Sequence, residues 1–272
     1  MIVSGIDVGS LSTKAVIMEN SKIRSSGFVL TGPDPVESAA HAMGLALRES
    51  NLSLSDIEYT VATGYGRVNV PFAQFNVTEL SCHARGNHWF FPEVHTILDI
   101  GGQDCKAIKC DDQGKLTSFV MNDKCAAGTG RYLERVAATL ALELDQIGPL
   151  SLKWIEGPLQ VNETCVVFAE GDIIRLIREG KHTNDILAGA TDAIVERVVS
   201  LLERVGIEEA LCLSGGVAKN IGVVNRLEKK LGMKAHIAPE PQVVGALGAA
   251  LFAADKLKAK EQTKLSQEAV EG

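Results

Sequence analysis

Apolar and polar positions fall into two successive rounds of short strands followed by helices. In the first round, residues 2–7, 13–19 and 22–30 read as three strands joined by tight turns, the first turn at Gly9–Ser10. Pro33 and Pro35 then introduce a helix over about 35–50, whose Ala, Leu and Met positions keep helical spacing. A strand at 58–63 runs into the glycine-rich segment ATGYGR, and residues 79–91 read as helix. The pattern then restarts. Residues 95–100, 105–110 and 116–121 form three more strands, with DDQGK turning between the last two. Helices follow over about 128–142, 166–179 and 184–205. A strand at 210–214 ends at Gly215–Gly216, followed by a helix to 231, a strand at 234–238 and a helix at 242–257. The polar end, KLKAKEQTKLSQEAVEG, is expected to fray.

Each round opens on an apolar strand carrying Asp and then Gly, GIDVGS at 5–10 and LDIGGQD at 98–104. The matching order of elements predicts an α/β fold of two related lobes. They are an N-terminal lobe over 1–94, a C-terminal lobe over 95–241, a helix at 242–257 packing back towards the first lobe, and a frayed tail over 258–272. Charge narrows the choice of partner. In 272 residues, 27 Lys and Arg stand against 34 Asp and Glu, a net charge of −7. That balance argues against a nucleic-acid partner, because displacing counterions from phosphates takes clustered cations. The longest uncharged apolar stretch, Val243 to Ala254, falls short of the ~20 residues that span a bilayer. The N-terminus carries neither a basic segment nor a small-residue cleavage site, so the expectation is a cytoplasmic protein with no membrane partner.

Three turns are equipped to meet phosphate. No Walker A loop is present, and no dinucleotide fingerprint sits in a strand–helix frame. Asp7-x-Gly9-Ser10-x-Ser12-Thr13-Lys14, however, forms a hairpin in which backbone N–H groups and hydroxyls can face phosphate oxygens. A carboxylate at the end of its first strand can hold Mg²⁺ through water. The second turn, Asp99-Ile-Gly101-Gly102-Gln103-Asp104, adds carboxylates for Mg²⁺ or an attacking water, and an amide to orient that water. The third, Ser214-Gly215-Gly216-Val-Ala-Lys219-Asn220, lets a nucleoside approach backbone closely. Each turn alone reads equally as an ordinary tight loop; the three in this order, with GALGAAL at 245–251 as a close-packing helix, do not.

GIDVGSLSTK, LDIGGQD, LSGGVAKN and GALGAAL resemble the phosphate-1, phosphate-2, adenosine and second connecting motifs of the actin/Hsp70/sugar-kinase ATPase superfamily. Within it, ATGYGR at 62–67, TELSCHARG at 78–86 and NDKCAAGTGR at 122–131 resemble one branch, the BadF/BadG/BcrA/BcrD-type ATPases. That branch holds the activators of 2-hydroxyacyl-CoA dehydratases and the ATPase subunits of ATP-dependent benzoyl-CoA reductases. The resemblance covers residues 2–257. It implies the ribonuclease H-like fold of actin, Hsp70 and hexokinase, two related lobes with ATP and Mg²⁺ in the cleft. On that fold Asp7, Asp99, Gln103 and Asp104 become the expected catalytic groups. Gly9, Ser10, Ser12, Thr13, Lys14, Gly101, Gly102, Gly215, Gly216, Lys219 and Asn220 become the expected ATP-binding residues.

Six cysteines stand at 82, 105, 110, 125, 165 and 212, with no CxxC, and in a cytosolic chain they read as free thiols, ligands or catalytic groups. Cys125 and Cys165 each precede a predicted helix, where the partial positive charge of a helix N-terminus favours a thiolate. Two buried small hydrophobes are the alternative. An iron–sulfur cluster usually takes four thiolates, and no four-cysteine spacing exists here, so two cysteines per chain suffice only across an interface. The family resemblance implies that arrangement: a [4Fe–4S] cluster held by Cys125 and Cys165 and shared with a second ATPase chain, identical or related. Cys82 and Cys212 read as core. Cys105 and Cys110 point to opposite faces of one strand and receive no role. His83, His88 and His95 read as structural or surface groups, Trp89, Phe90 and Phe91 as packing, and Lys256, Lys258 and Lys260 as a solvated face.

The expected function is therefore ATP-driven, low-potential electron transfer to a CoA-thioester reductase or dehydratase component, with reduced ferredoxin or flavodoxin as donor. The stretches TGYGRVNVPF and CHARGNHWFFP tilt the expectation towards a benzoyl-CoA reductase subunit, with a dehydratase activator as the alternative. From another class, a small-molecule kinase shares the lobes and turns. It needs a carboxylate base beside an acceptor pocket and has no use for Cys125 or Cys165. A chaperone-like ATP switch is a third reading, disfavoured because no substrate-binding domain follows residue 257.

Overall fold

The computed structural model describes residues 1–122 and 124–271, with side chains through Thr263. It divides into two compact units, Met1–Phe90 together with Gln242–Gly272, and Phe91–Pro241. The break falls a few residues before the expected boundary at 94.

The first unit is built on a five-stranded sheet ordered β3-β2-β1-β4-β5. Strands β1 (Ile2–Val8), β2 (Ser12–Glu19) and β3 (Lys22–Leu30) form an antiparallel meander, and β4 (Tyr59–Thr63) runs parallel to β1. Helix α1 (Pro35–Ser50) starts where Pro35 pre-sets the backbone and Asp34 accepts hydrogen bonds from the N–H groups of Val36 and Glu37. It stops at Asn51, which takes a left-handed conformation. On the other face of the sheet lie α2 (Glu79–Phe90) and α8 (Val244–Glu271). Small residues make that packing possible. A β-carbon on Gly5 of β1 would stand 2.0 Å from the Ala246 carbonyl oxygen, so α8 rests directly on the strand backbone. Val3, Val16, Val61, Ala246, Ala249, Ala250 and Ala253 close the core between them.

The second unit repeats the plan. Its sheet, ordered β10-β9-β6-β7-β8, holds the meander β6 (Thr96–Ile100), β7 (Cys105–Cys110) and β8 (Leu116–Asn122), with β9 (Leu211–Ser214) parallel to β6 and β10 (Ala235–Ile237) at the edge. Read from the third strand of each meander, the two sheets share one strand order. Helix α6 (Thr183–Val205) crosses β7 and β8 as α1 crosses β2 and β3. Between β8 and α6 the second unit carries α3 (Gly130–Thr139), α4 (Leu144–Ser151) and α5 (Val166–Arg178); α7 (Ile221–Leu231) joins β9 to β10.

Three elements depart from expectation. Helix α4 contains Gly148 and Pro149, which break a propensity pattern, yet it packs backbone to backbone on α7: a β-carbon on Gly222 would lie 2.9 Å from the Gly148 carbonyl oxygen. Strand β5 (Phe75–Asn76) is too short to leave a periodic trace. Helix α8 continues through residues 258–271, which the sequence assigns to a frayed tail, and Gly272 lies outside the described residues. Among the described residues no helix is long and apolar enough to cross a membrane.

Candidate active site

In the first unit, Asp7, next to last in β1, stands opposite Lys14 of β2, and the strand register brings Lys14 Nζ to 3.3 Å from Asp7 Oδ2. The turn between them is closed by a hydrogen bond from the Gly9 N–H to the Ser12 carbonyl (3.1 Å). Ser10 lies exposed at its tip and Ser12 half-buried, so both can offer groups to a ligand. Thr13 faces inward instead. Thr31 Oγ1 donates to the Gly9 carbonyl (2.8 Å) and shares a 2.8 Å hydrogen bond with Thr13 Oγ1, so the Thr13 hydroxyl ties the hairpin to β3. Asp7 is only 5% exposed. Room around it is made by absent side chains: a β-carbon on Gly64 would lie 2.5 Å from Oδ1, and one on Gly245 would lie 3.1 Å from Oδ2.

The second unit builds the same device. Asp99, next to last in β6, stands opposite Lys106 of β7, seven residues on, as Lys14 stands from Asp7. Gly101 N–H bonds the Asp104 carbonyl (3.0 Å), closing a turn of the same length. Lys106 is 3% exposed and its Nζ lies 3.4 Å from Asp99 Oδ2 and 2.8 Å from Asp104 Oδ1. Ser214 of β9 donates to Asp99 Oδ1 (2.8 Å) from the position that Thr63 of β4 holds beside Asp7. Each is followed by a glycine at positive φ, Gly215 at 84° and Gly64 at 86°. At both, a β-carbon would collide with a carbonyl of the Asp-bearing segment, Ile100 oxygen at 2.3 Å and Val8 oxygen at 2.5 Å, so only glycine fits. Sequence reading found Gly215 and passed over Gly64 and Lys106. Aligning GIDVGSLSTK on LDIGGQDCK through Lys106, rather than stopping at Asp104, would have revealed both the lysine and the extent of the repeat.

The remaining expected residues separate. Gly101 and Gly102 accept hydrogen bonds from the N–H groups of Gly130 and Arg131 (each 2.9 Å), and Gln103 projects exposed beside them. Gly215 and Gly216 lie at the end of β9, where the Gly215 N–H bonds the Pro241 carbonyl (3.0 Å). Asn220 caps α7, its Oδ1 accepting from the N–H groups of Gly222 (3.0 Å) and Val223 (3.1 Å). Lys219 is an exposed partner of Glu240 at 2.8 Å. Both side chains therefore hold structure in this state.

The cysteines divide sharply. Cys82, Cys105, Cys110 and Cys212 are buried. Burial pushes the thiol of Cys82 up to about 12 and that of Cys110 to about 11, and raises Cys105 and Cys212 as well, with Asp99 adding to the effect at Cys105. Such thiols are inert core groups. Cys125 and Cys165 alone are half-buried. Cys165 is the residue before the first turn of α5, as expected, and its N–H bonds Asn162 Oδ1 (2.8 Å). Cys125 differs from expectation: α3 begins at Gly130, so the thiol stands in a loop rather than at a helix end. That loop is held by Asn122, whose Nδ2 donates to the carbonyls of Cys125 (3.0 Å) and Ala127 (2.9 Å). Cys125 Sγ reaches the Thr164 carbonyl at 3.6 Å, so the two cysteine segments touch. No cluster of three or more metal-ligating side chains occurs among the described residues.

The sequence pattern of the BadF/BadG/BcrA/BcrD ATPase family matches residues 4–253. The chain belongs to this family. It is 42% identical over 260 residues to the activator of lactoyl-CoA dehydratase from Anaerotignum propionicum, covering 96% of this chain and all of that one. The structure of the activator of the 2-hydroxyisocaproyl-CoA dehydratase from Clostridium difficile with bound ADPNP superposes with a TM-score of 0.91 at 38% identity, over 97% of this chain and 98% of that one. Identity to a benzoyl-CoA reductase subunit from Thauera aromatica is lower, 32% over 271 residues, covering 93% of each. As a member of this ATPase family the chain is an ATPase, and its two units share the architecture of the actin/Hsp70/sugar-kinase ATPases. Within the family the higher identities belong to dehydratase activators, the reading held second from sequence.

Proposed function

We propose that the chain is the ATP-hydrolysing activator of a 2-hydroxyacyl-CoA dehydratase, passing low-potential electrons to it through a [4Fe–4S] cluster that two identical chains share. The observation that carries the redox reading is the pairing of Cys125 and Cys165, the two half-buried thiols, in touching segments. One chain supplies two thiols and a cluster takes four, so the donor set fits a shared site and not a site within one chain. Val167 and Phe168, two and three residues after Cys165, are 69% and 66% exposed, apolar surface suited to cover by the second chain. When bound, the cluster supplies one-electron chemistry, and ferredoxin or flavodoxin is the donor class. The activator reading is preferred over that of a reductase component because identity is higher to activators.

The nucleotide chemistry falls to the turns. Asp7, in its glycine-lined cradle, would hold Mg²⁺ through water, and Asp99 is the matching carboxylate of the second unit. Lys14 and the N–H groups about Ser10 would meet phosphate oxygens, Gln103 would orient the attacking water, and Gly215–Gly216 would let the nucleoside reach backbone. Within the second unit, Gly101 and Gly102 are bonded to Gly130 and Arg131, which directly follow the Cys125 loop, so a shift of the phosphate turn bears on the cysteine segment.

Anaerobic purification, an iron assay and electron paramagnetic resonance of the reduced protein test this reading. About four iron atoms should be found per dimer. Cys125→Ser or Cys165→Ser should remove most of them, whereas Cys82→Ser should not. A fully loaded cluster in the Cys125→Ser protein, or a cluster retained by an isolated monomer, would refute the shared set.

A further inference from the structure

We propose that His83 is a positioning residue of the ATPase: its imidazole holds the Asp7 carboxylate in the orientation that Mg-ATP requires. This rests on the reading of Asp7 as the carboxylate that organises the cation in the first unit. His83 lies on α2, and Gly245 on α8, where the two helices touch backbone to backbone. A β-carbon on Gly248 would stand 1.8 Å from the Cys82 carbonyl oxygen, and one on Gly86 would stand 2.2 Å from the Val244 carbonyl oxygen. That contact sets the height of His83 against β1. A β-carbon on Gly245 would lie 3.0 Å from His83 Nε2 and 3.1 Å from Asp7 Oδ2, so both atoms border the same carbon-sized space.

His83 is 7% exposed, and Asn87 Nδ2 donates to its carbonyl at 2.9 Å, anchoring the turn that carries it. Asp7 Oδ2 already faces Lys14 at 3.3 Å, while Oδ1 lies over Gly64. With Nε2 and Nζ both on the Oδ2 side, rotation of the carboxylate is restricted, and the lone pairs left for a cation or its water keep one direction. A neutral ring is sufficient for this. Groups that orient a metal-binding carboxylate typically contribute about 10–100-fold in metal affinity or activity. The sequence reading placed His83 among structural or surface histidines because spacing along α2 says nothing of what α8 brings beside it.

The full chain, purified anaerobically, tests the assignment in the variants His83→Ala, His83→Gln, His83→Asn and Asp7→Ala. The readouts are ATP turnover, KM for ATP, the Mg²⁺ concentration for half-maximal binding of a fluorescent ATP analogue, and Tm. His83→Ala and His83→Asn should lower kcat roughly 10–100-fold and raise the half-maximal Mg²⁺ concentration by a similar factor, leaving KM within about threefold. Glutamine places an amide nitrogen near the position of Nε2, and asparagine does not, so His83→Gln should stay within about threefold of the wild type. Gly245→Ala, which keeps the histidine but presses a methyl group against both Nε2 and the Asp7 carboxylate, should behave as His83→Ala; it decides the matter should His83→Ala not fold. Wild-type turnover and Mg²⁺ dependence in a folded His83→Ala protein would overturn the proposal, as would equal losses in the Gln and Asn variants. Wild-type turnover in Asp7→Ala would instead remove the reading of Asp7 on which the proposal stands.

Discussion

Replacing Lys106 by Met tests whether the second phosphate turn is held together by charge. The lysine is 3% exposed, and its Nζ lies 2.8 Å from Asp104 and 3.4 Å from Asp99. At an effective dielectric constant of about 20, these separations correspond to gross attractions of about 6 and about 5 kcal/mol. Desolvation of three buried charges consumes most of that, but the cost of removing one partner is asymmetric. Two buried carboxylates remain after their lysine has gone, and breaking such a pair typically costs about 3–5 kcal/mol. Against a domain stability of about 5–15 kcal/mol, this is a loss the second unit survives only narrowly. Urea unfolding followed by Trp154 fluorescence, in a Trp89→Phe background so that the signal comes from the second unit, measures it. The loss should shrink on acidification. Carboxylates deprived of their cation bind protons more tightly folded than unfolded, so the variant gains stability as pH falls. Adding Asp104→Asn to Lys106→Met should restore part of the loss at neutral pH, since it removes one of the two charges. A Lys106→Met unfolding free energy within about 0.5 kcal/mol of the parent at pH 7.5, or a loss that stays constant down to pH 5, would refute the charge-balanced core.

Two further perturbations probe the frame around this core. Gly64→Ala forces a side chain into φ of 86° and places a β-carbon 2.5 Å from Asp7 Oδ1; it should cost about 1–3 kcal/mol in backbone strain alone and lower ATP turnover at least about tenfold, and an unchanged Tm would contradict it. Asp185 bonds the backbone N–H groups of Ile155 and Glu156, and these hold its carboxyl below the usual carboxylate range. A depressed folded value contributes stability that is present above about pH 4 and is lost as pH falls through that value. The Tm gap between wild type and Asp185→Asn should therefore close on acidification from pH 7 to pH 3, and a gap that stays constant would show that the carboxylate charge is not what ties the 155–156 loop.

Most of the sheet framework was legible because the meanders leave strong traces: alternation, tight glycine turns, and Asp at the end of each leading strand. The residues that escaped share a property, that what they do depends on a neighbour distant in sequence. Gly64 looks like part of a loop until β4 is laid beside β1, where its positive φ and the Val8 carbonyl exclude any side chain. Lys106 reads as an ordinary strand lysine until Asp104, two residues back, and Asp99, across the hairpin, close on it. Thr13 and Asn220 escaped in the opposite sense. Hydroxyl and amide groups in a phosphate motif read as ligands, whereas here they are spent on Thr31 and on the first turn of α7. Helix α4 was invisible because local propensity at Gly148–Pro149 opposes it, and packing on Gly222 overrides propensity.

The repeat also shows why both candidate cluster cysteines belong to one unit. In the first unit the chain passes from β3 to α1 in four residues, and Thr31 at the start of that link is bonded back to the hairpin turn through the Leu11 and Gly9 carbonyls. In the second unit the corresponding link, from β8 to α6, is longer and holds α3, α4, α5, Cys125 and Cys165. A bond back to the turn is present here as well: it is made by Gly130 and Arg131, whose N–H groups donate to the carbonyls of Gly101 and Gly102. The segment that carries both cysteines is therefore tied to the phosphate turn at the start of α3. The contact is made entirely by backbone, so it depends on close approach rather than on a side chain. A β-carbon on Gly130 would already crowd the Gly101 oxygen and the Gly102 Cα at 3.3 Å. A side chain at 130, five residues after Cys125, would therefore press on the phosphate turn through this contact.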